Sequence, residues 1–278
     1  MANLTNPNEP QLNGTTGATD PAAAGARPAS NAPGAPDEPE TATDRLRLIL
    51  GDAGLARVAG ARVMVVGLGG VGSSCCEALA RGGIGHLVLL DRDVVAPSNI
   101  NRQAIAFHST IGRVKAEVMR DMVLDINPDA DVCARQMFLP KDGLAEALDQ
   151  LPRPDYVVDA IDTVAQKLRL AEWCRDREIP EISAMGGGNK LDPCRLRFAR
   201  IEDTVNCPLA RIMRKECRRR GIRDLRVIYS DELPVRMRPI SDEQWQESGS
   251  LLGTMSYFPP IMGQMIASRV IRDILGFD

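Results

Sequence analysis

The sequence predicts an α/β fold: a Rossmann-like, mostly parallel sheet with helices on both faces, extended by antiparallel strands in the C-terminal half. Three observations lead to this prediction. Short apolar runs alternate with segments of helical character from residue 62 to residue 185, a glycine-rich turn follows the first run, and hydrophobic residues make up 44% of the chain. Short, continuously apolar runs are typical of strands buried on both faces, as in a parallel sheet.

The first half of the predicted fold alternates strands with helices and starts near Asp44. In chain order the predicted elements are one or two short helices over 46–58, a strand over 62–66, a helix over 73–81, a strand over 87–90, a helix over 114–126, a strand over 132–138, a helix over 145–151, a strand over 156–159, a helix over 164–177 and a strand over 181–185. Strands that alternate with helices in this way favour βαβ units and therefore a parallel sheet.

The pattern changes after the three glycines at 186–188. A half-exposed strand is predicted over 195–200, a very basic helix over 209–220, a strand over 225–229, then a polar loop and a closing helix over 261–275. We therefore expect one folded domain over 44–278, with a first half over 44–185 and a second half over 186–278.

Residues 1–43 are rich in Pro, Gly, Ala, Thr and Asn and contain no aromatic residue. Such a segment buries too little apolar surface to offset the entropy of ordering, so we expect a disordered tail. Its acidic residues and single arginine argue against a mitochondrial transit peptide, and it has neither the charged nor the apolar region of a signal peptide. Without an apolar run of about 20 residues, no membrane span is expected, and the predicted location is the cytoplasm.

The formal net charge of -3 gives the whole chain no excess of basic residues, so any nucleic-acid contact has to be local. The seven cysteines are scattered and include no C-x-x-C pair, and the only histidines are His86 and His108. This composition favours reduced thiols over a disulfide framework and gives no support to a structural zinc site.

The turn from Gly67 to Gly72 matches G-x-G-x-x-G between a predicted strand and a predicted helix. Gly67 permits the tight turn, Gly69 lets the backbone approach a phosphate, and Gly72 allows close contact between helix and strand. Asp91 ends the next strand about 20 residues later, where a carboxylate can bind ribose hydroxyls. These features predict a nucleotide site but suit NAD as well as ATP.

Polar residues after the second and fourth strands favour ATP. Ser98, Asn99, Asn101 and Arg102 follow the second strand, and Lys115 opens the next helix. A triphosphate needs such side chains together with a carboxylate for Mg²⁺. The segment 159–163, which contains two aspartates and a threonine, supplies a carboxylate at the same edge of the sheet, where ligands of open α/β sheets bind.

These motifs resemble those of the E1-like adenylating enzymes, which activate carboxylates with ATP. The shared pattern is G-x-G-G-x-G at 67–72, D-x-D-x-V-x-x-S-N-x-x-R-Q at 91–103, G-x-x-K at 112–115 and D-x-x-D at 159–162. The resemblance implies that Gly70 contacts the nucleotide, Asp91 binds its ribose, Asn99, Arg102 and Lys115 hold phosphates, and Asp162 positions Mg²⁺. Arg102, Lys115 and Asp162 are then the expected catalytic residues, with Thr163 beside them.

Within that family the second half is most similar to the dehydratases that act on threonylcarbamoyladenosine in tRNA. The resemblance rests on the segments 187–193, 204–218, 227–234 and 253–263. It implies that ATP adenylates the threonyl carboxylate, that the carbamoyl group then closes a ring, and that AMP and pyrophosphate are released. It also implies a homodimer, with the second half devoted to substrate and dimer contacts. A family arginine aligns with Leu48, and Arg45 and Arg47 lie nearby.

Basic residues crowd the range 211–226, where Glu216 and Asp224 are the only acids. A solvated helix face is the ordinary explanation of such a run, but its density and the resemblance favour contact with a tRNA backbone. The residues expected to make this contact are Arg211, Arg214, Lys215, Arg218, Arg219 and Arg220.

Three alternatives stay open. The chain could activate the C-terminus of a ubiquitin-like or sulfur-carrier protein, bind a nucleotide without catalysis, or be an NAD-dependent oxidoreductase, the least favoured because nothing supplies a hydride-transfer acid or base. A sulfur-relay or carrier protein is the corresponding partner. Cys207, just before the basic helix, is either a nucleophile or, more commonly at such a position, a buried thiol; for Cys75 and Cys76 the prediction is packing.

Overall fold

A computed structural model describes residues 40–140, 142–235 and 252–277. From Ala42 on, they belong to one compact unit, Ala42–Asp278. The predicted disordered tail, residues 1–43, lies outside the described residues apart from 40–43, and so does most of the predicted polar loop.

The helices and strands alternate as the sequence predicts. In chain order they are α1 (Asp44–Gly60), β1 (Arg62–Val66), α2 (Gly70–Arg81), β2 (His86–Asp91), α3 (Lys115–Ile126), β3 (Asp131–Gln136), α4 (Leu144–Asp149), β4 (Tyr156–Asp159), α5 (Val164–Asp176), β5 (Glu181–Ala184), β6 (Leu196–Arg200), α6 (Pro208–Arg220), β7 (Arg226–Ser230) and α7 (Phe258–Leu275). The largest differences are at α2 and α7, each of which begins three residues before its predicted start. Proline is tolerated in a first helical turn, which is why α7 can include Pro259 and Pro260.

The seven described strands form one sheet in the order β3-β2-β1-β4-β5-β7-β6. Every neighbouring pair is parallel except β6 and β7, which run antiparallel. The predicted fold class is therefore confirmed. The antiparallel extension consists of β6 at the edge, because β7 pairs in parallel with β5.

Helices cover both faces of this sheet. In β1, Val63 and Val65 belong to an apolar cluster that includes side chains of α2, α3 and α7, whereas Met64 and Val66 belong to a second cluster with side chains of α4 and α5. Successive side chains of a strand point to opposite faces, so β1 is buried on both sides, as its unbroken apolar run predicts. A third cluster lies beneath α6.

The first helix bends in the middle. Gly51 has φ of 65°, outside the helical range, so α1 consists of two helical pieces, in agreement with the prediction of one or two short helices. Leu48, at the position aligned with the family arginine, is 80% exposed. The side chain of Arg47 pairs with Asp44 and Asp52 of the same helix. Nowhere in the described ranges is a helix long and apolar enough to span a membrane.

Candidate nucleotide-binding site

The candidate site lies where the connections of the sheet change direction. From β1 the chain proceeds to β2 and β3 on one side and then crosses to β4 on the other side of β1. The turns after β1 and β4 consequently diverge at the carboxyl edge and leave a crevice, the usual ligand position in open α/β sheets. The glycine turn 67–72 and the segment 159–163 both lie here.

The four glycines of the turn have different surroundings. Gly67 has φ of 90°, and a Cβ there would lie 2.7 Å from the carbonyl oxygen of Ala160. A Cβ on Gly72 would lie 1.8 Å from the carbonyl oxygen of Gly67, and one on Gly70 would lie 2.8 Å from Pro259. These three positions therefore allow the close packing of the turn, as predicted for Gly67 and Gly72.

Gly69 differs because its surroundings are open. It precedes the first residue of α2, and a Cβ added there would meet only the Nε2 atom of Gln103, at 3.9 Å. The N-terminus of α2 offers backbone N–H groups and a partial positive charge, which together attract anions. The open space at Gly69 is thus consistent with close approach of a phosphate.

Asp91 holds the ends of β1 and β2 together. Its Oδ2 accepts a hydrogen bond from the backbone N–H of Leu68 at 2.6 Å, and its Oδ1 accepts one from the N–H of Asp93 at 2.8 Å. A carboxylate has about four acceptor positions, so both oxygens can still accept further bonds, as from ribose hydroxyls. The backbone bonds fix the direction of the carboxylate before any ligand arrives.

The polar residues after β2 orient one another. Arg102 donates from Nη1 to the carbonyl oxygen of Ser98 at 2.9 Å and to Oδ1 of Asn101 at 2.8 Å. Asn101 in turn donates from Nδ2 to the carbonyl oxygen of Thr254, which links this loop to the second half of the chain. Within the part of the chain that the structure describes, no carboxylate pairs with Arg102, so its charge remains available to an anionic ligand.

Asn99 is buried, and its Oδ1 accepts a hydrogen bond from the N–H of Ala96 at 3.0 Å. This hydrogen bond stabilises the loop, and the contact of Asn99 with a phosphate stays a prediction. Lys115 is only 5% exposed, although it carries a charge. Its Nζ lies 3.3 Å from Oδ2 of Asp93, a half-exposed carboxylate at the start of the same loop.

The two aspartates of the segment 159–163 have different environments. Asp159 has no exposed surface, and its carboxylate pairs with the equally buried Lys167 at 2.9 Å. Asp162 is exposed and accepts a hydrogen bond from the hydroxyl of Thr163 at 3.1 Å. Asp162 is therefore the carboxylate of this segment that faces solvent at the carboxyl edge, as the resemblance implies for a Mg²⁺ ligand.

Two buried residues of the site were missed in the sequence. Gln103 is 7% exposed, lies beside Gly69, and its Oε1 has no hydrogen-bond partner among the described residues. An unpaired buried amide oxygen is unusual and indicates a missing partner such as a ligand or water. The second missed residue is Lys167, which is fully buried beside Asp159. The signal for Gln103 was its place in the motif at 91–103, whereas Lys167 has no comparable signal.

Helix α6 runs from the carboxyl edge of the sheet to the opposite edge. Asn206, just before α6, donates to the carbonyl oxygen of Asp231, which follows β7. At the other end of α6, Arg175 of α5 donates to the carbonyl oxygen of Arg220. With 13 residues the helix is about 20 Å long. Its basic residues are therefore distributed between the nucleotide edge and the far edge.

The predicted RNA-contacting residues fall into two groups. Arg214 donates to Thr204, while Arg219 pairs with Glu216 and Arg220 with Glu172. The side chains of Arg211, Lys215 and Arg218 make no hydrogen bond or ion pair with any described residue and are exposed, three and four positions apart, on one face of the helix. This second group, named here the free basic stripe, has positive charge without a local carboxylate partner.

The cysteines are free thiols. Cys75 and Cys76 are fully buried, and burial raises the pKa of both, so the packing prediction for this pair is confirmed. Cys207 lies at the N-cap of α6 and is buried as well, which agrees with the commoner of its two interpretations.

Comparison with known proteins identifies the family. The model of the ThiF family matches residues 43–278, nearly the whole folded unit. The chain belongs to the ThiF family. A tRNA threonylcarbamoyladenosine dehydratase of Bacillus subtilis is 36% identical over 239 residues, which cover 83% of this chain and 93% of that protein.

Solved structures extend this likeness to the fold. The Escherichia coli tRNA N6-threonylcarbamoyladenosine dehydratase TcdA in complex with ATP superposes with a TM-score of 0.73 at 29% identity, covering 85% of this chain and 98% of that one. A molybdopterin-synthase adenylyltransferase of E. coli is also similar, with 36% identity over 122 residues, but the match covers only 44% of this chain and 48% of that protein. The resemblance inferred from the motifs is confirmed.

Proposed function

We propose that this protein is an ATP-dependent dehydratase that adenylates the threonyl carboxylate of threonylcarbamoyladenosine in tRNA and promotes its cyclisation, with release of AMP and pyrophosphate. The observation that carries this proposal is the arrangement at the carboxyl edge, where Arg102, Lys115 and an exposed Asp162 accompany the glycine turn. A relative named for that reaction matches across 93% of its own length.

The site suits ATP. Gly69 leaves room at the N-terminus of α2 for a phosphate, Asp91 is oriented for ribose, and Gln103 has an unpaired buried oxygen beside the same turn. Arg102 and Lys115 would neutralise the triphosphate. A nicotinamide dinucleotide would give these two cations no phosphate to bind, because its pyrophosphate is bound by backbone N–H groups.

Asp162 is the residue that would hold Mg²⁺. Mg²⁺ bound to nucleotides takes most of its ligands from phosphates and water and only one or two from carboxylates. Asp162, the exposed carboxylate of the segment 159–163, could supply such a ligand. When bound, Mg²⁺ supplies positive charge beside the reacting phosphate.

The proposed reaction has two steps. A threonyl carboxylate oxygen attacks the α-phosphorus of ATP, the bond to the β-phosphate oxygen breaks, and pyrophosphate leaves. The carbamoyl group then attacks the activated carbonyl carbon, the bond to AMP breaks, and a proton is lost, so the nucleoside loses one water in total. Arg102 and Lys115 stabilise the negative charge that develops in the first step. The second step is intramolecular, so the proximity of the two groups accelerates it.

The free basic stripe of α6, with Arg214, Arg219 and Arg220 beside it, would contact the tRNA backbone. Cations without a carboxylate partner release the counterions of a nucleic acid when they bind it. A surface cavity of about 450 Å³ opens beside Arg214 and Arg218, and its lining also includes Arg223 and the carboxylates of Glu202 and Asp224. Arg219 and Arg220 lie at the far end of the helix, where each pairs with a glutamate, so their share in the contact would be smaller.

The assembly is proposed to be a homodimer in the cytoplasm. Besides Leu48, Ile49 of α1 is 79% exposed, and two neighbouring large apolar side chains on a surface helix favour burial against another chain. Sedimentation at several protein concentrations measures the oligomeric state; a monomer at every concentration would refute this part.

One alternative is supported by a specific observation. The partial likeness to a molybdopterin-synthase adenylyltransferase favours activation of a small carrier protein through its C-terminus. That match covers less than half of each chain, whereas the B. subtilis dehydratase matches 83% of this chain and 93% of its own length. An activator would exchange pyrophosphate into ATP only when a protein ending in Gly-Gly is present.

The decisive experiment supplies the purified protein with ATP, Mg²⁺ and tRNA that bears threonylcarbamoyladenosine, followed by mass analysis of the nucleosides. Loss of one water from that nucleoside, with one AMP formed per event, is the expected result. An unchanged nucleoside in a preparation that binds ATP would reject the dehydratase proposal, and exchange stimulated by a Gly-Gly carrier would replace it with the alternative.

A further inference from the structure

A fully buried polar cluster lies beneath the turn that presents Asp162. Asp159 and Lys167 form its ion pair, and Ser183 of β5 donates to Oδ2 of Asp159 at 2.6 Å. None of these three side chains has exposed surface. The cluster therefore occupies the interior between β4, β5 and the first turns of α5, directly below the nucleotide edge.

Two of its bonds end on one residue of the turn, Ile161. The N–H of Ile161 donates to Oδ1 of Asp159 at 3.0 Å, and its carbonyl oxygen accepts from Nζ of Lys167 at 2.9 Å. Both peptide groups of the residue just before Asp162 are thereby fixed. Lys167 is the only side chain in the described part of the chain that bonds both to the turn and to Asp159.

Stability alone does not account for a lysine here. Removing two charges from water costs about as much as their attraction returns, and apolar replacements of buried ion pairs are often neutral or stabilising. A cation in the first turns of α5 also faces the positive end of the helix dipole. What an apolar side chain could not do is donate a hydrogen bond to the carbonyl oxygen of Ile161.

We infer that Lys167 is a positioning residue that holds the turn 159–162 so that Asp162 presents its carboxylate at the nucleotide edge. This inference rests on the proposed role of Asp162 toward Mg²⁺. Replacing a residue that hydrogen-bonds to a metal ligand and orients it commonly lowers metal affinity about 10- to 100-fold. The expected consequence is a defect in the Mg²⁺-dependent part of ATP binding, with the rest of the nucleotide site unaffected.

The test measures ATP binding calorimetrically, without tRNA, in Mg²⁺ and in EDTA. The main variant is Asp159→Asn combined with Lys167→Met, which removes both buried charges and keeps an acceptor for Ile161. We expect near-native thermal unfolding, ATP affinity in EDTA within about threefold of wild type, and loss of roughly tenfold of the tightening that Mg²⁺ gives. If this double variant does not fold, Asp159→Asn combined with Lys167→Leu, which also removes both buried charges and the donor to Ile161, serves in its place.

A matched control comes from the same interior. Glu181 of β5 is buried near Asp159 and Lys167 but makes no bond to the turn 159–162. Burial and the charge of Asp159 raise the pKa of Glu181 well above its ordinary value, which favours the neutral carboxyl that the amide in Glu181→Gln resembles. The Mg²⁺ effect in this variant should equal that of wild type.

A double-mutant cycle separates positioning from a direct role. When Asp162→Ala is added to the main variant, the loss of Mg²⁺-dependent affinity should not exceed that of Asp162→Ala alone, because Lys167 acts through Asp162. Additive losses, or an unchanged Mg²⁺ effect in a folded main variant, would overturn the inference. A wild-type protein without any Mg²⁺ effect would overturn it as well. The binding assay contains no tRNA, so its result does not depend on whether the protein catalyses the dehydratase reaction.

Discussion

The carboxyl edge of the sheet and the exposed face of α6 both carry cations, but they hold them in opposite ways. At the edge, Lys115 is buried beside Asp93 and Arg102 is fixed by two oxygen acceptors. On α6, the free basic stripe extends into solvent without a partner among the described residues. A charge in a fixed position stabilises a ligand by direct contact. A solvated charge attracts a ligand through a long-range potential, which salt screens. Substitutions in the two regions should therefore differ in kind as well as in size.

The largest effect is expected within the glycine turn, where Gly72 and Gly69 form a matched pair. A Cβ at Gly72 would lie 1.8 Å from backbone, so Gly72→Ala should lower the free energy of unfolding by at least about 3 kcal/mol. Gly69→Ala should cost about 1 kcal/mol or less but reduce ATP affinity, because its methyl group enters the open space. Thermal unfolding and ATP titration of both variants check this. Equal stability of the two, or full ATP affinity in Gly69→Ala, would contradict the distinction.

Lys115→Met should have the next largest effect, and on chemistry. Loss of a preorganised charge at a developing negative charge typically lowers the rate about 10²- to 10³-fold. Single-turnover conversion of the tRNA nucleoside at saturating ATP measures this, and tRNA affinity in a filter-binding assay should be unchanged. Arg81→Gln, which removes a surface cation paired with Glu77, is the control and should react at the wild-type rate. A similar loss in both variants would mean that net charge, and not geometry, governs the edge.

Asp91→Ala should lower stability in addition to weakening ribose binding. The substitution leaves the N–H groups of Leu68 and Asp93 without their acceptor, and an unsatisfied buried donor costs about 1–3 kcal/mol. We expect a loss of about 3 kcal/mol in denaturant unfolding, with a smaller loss for Asp91→Asn, which keeps one acceptor oxygen. Asp129→Ala, at an exposed position, should unfold as wild type does. If Asp91→Ala is as stable as that control, its carboxylate serves the ligand alone.

The sequence predicted the edge better than the interior beneath it. Motif spacing pointed to the glycine turn, Asp91 and the segment 159–163, because each lies where a strand ends. Spacing alone did not separate Asp159 from Asp162, three residues apart, because burial depends on what α5 and β5 pack against them; the family resemblance implied Asp162. The sequence of α5 gives no sign that Lys167 is buried, since a lysine followed by arginine and glutamate is ordinary on a solvated helix face. Only the tertiary contacts with Asp159 and Ile161 reveal its surroundings.

The smallest effect on chemistry, and the sharpest on salt dependence, is expected from the free basic stripe. Replacing Arg211, Lys215 and Arg218 together by glutamine removes three uncompensated charges, so tRNA affinity at physiological salt should fall roughly tenfold. The slope of log affinity against log salt should decrease by up to about three, while ATP affinity and the rate at saturating tRNA stay at wild-type values. The control replaces the paired residues Arg219 and Arg220, whose charges Glu216 and Glu172 already compensate. Compared per residue replaced, a larger decrease of the salt slope in the first variant than in the second would show that unpaired charge, rather than the number of basic residues, defines the RNA contact. Equal decreases per residue would mean that α6 contributes only its total charge.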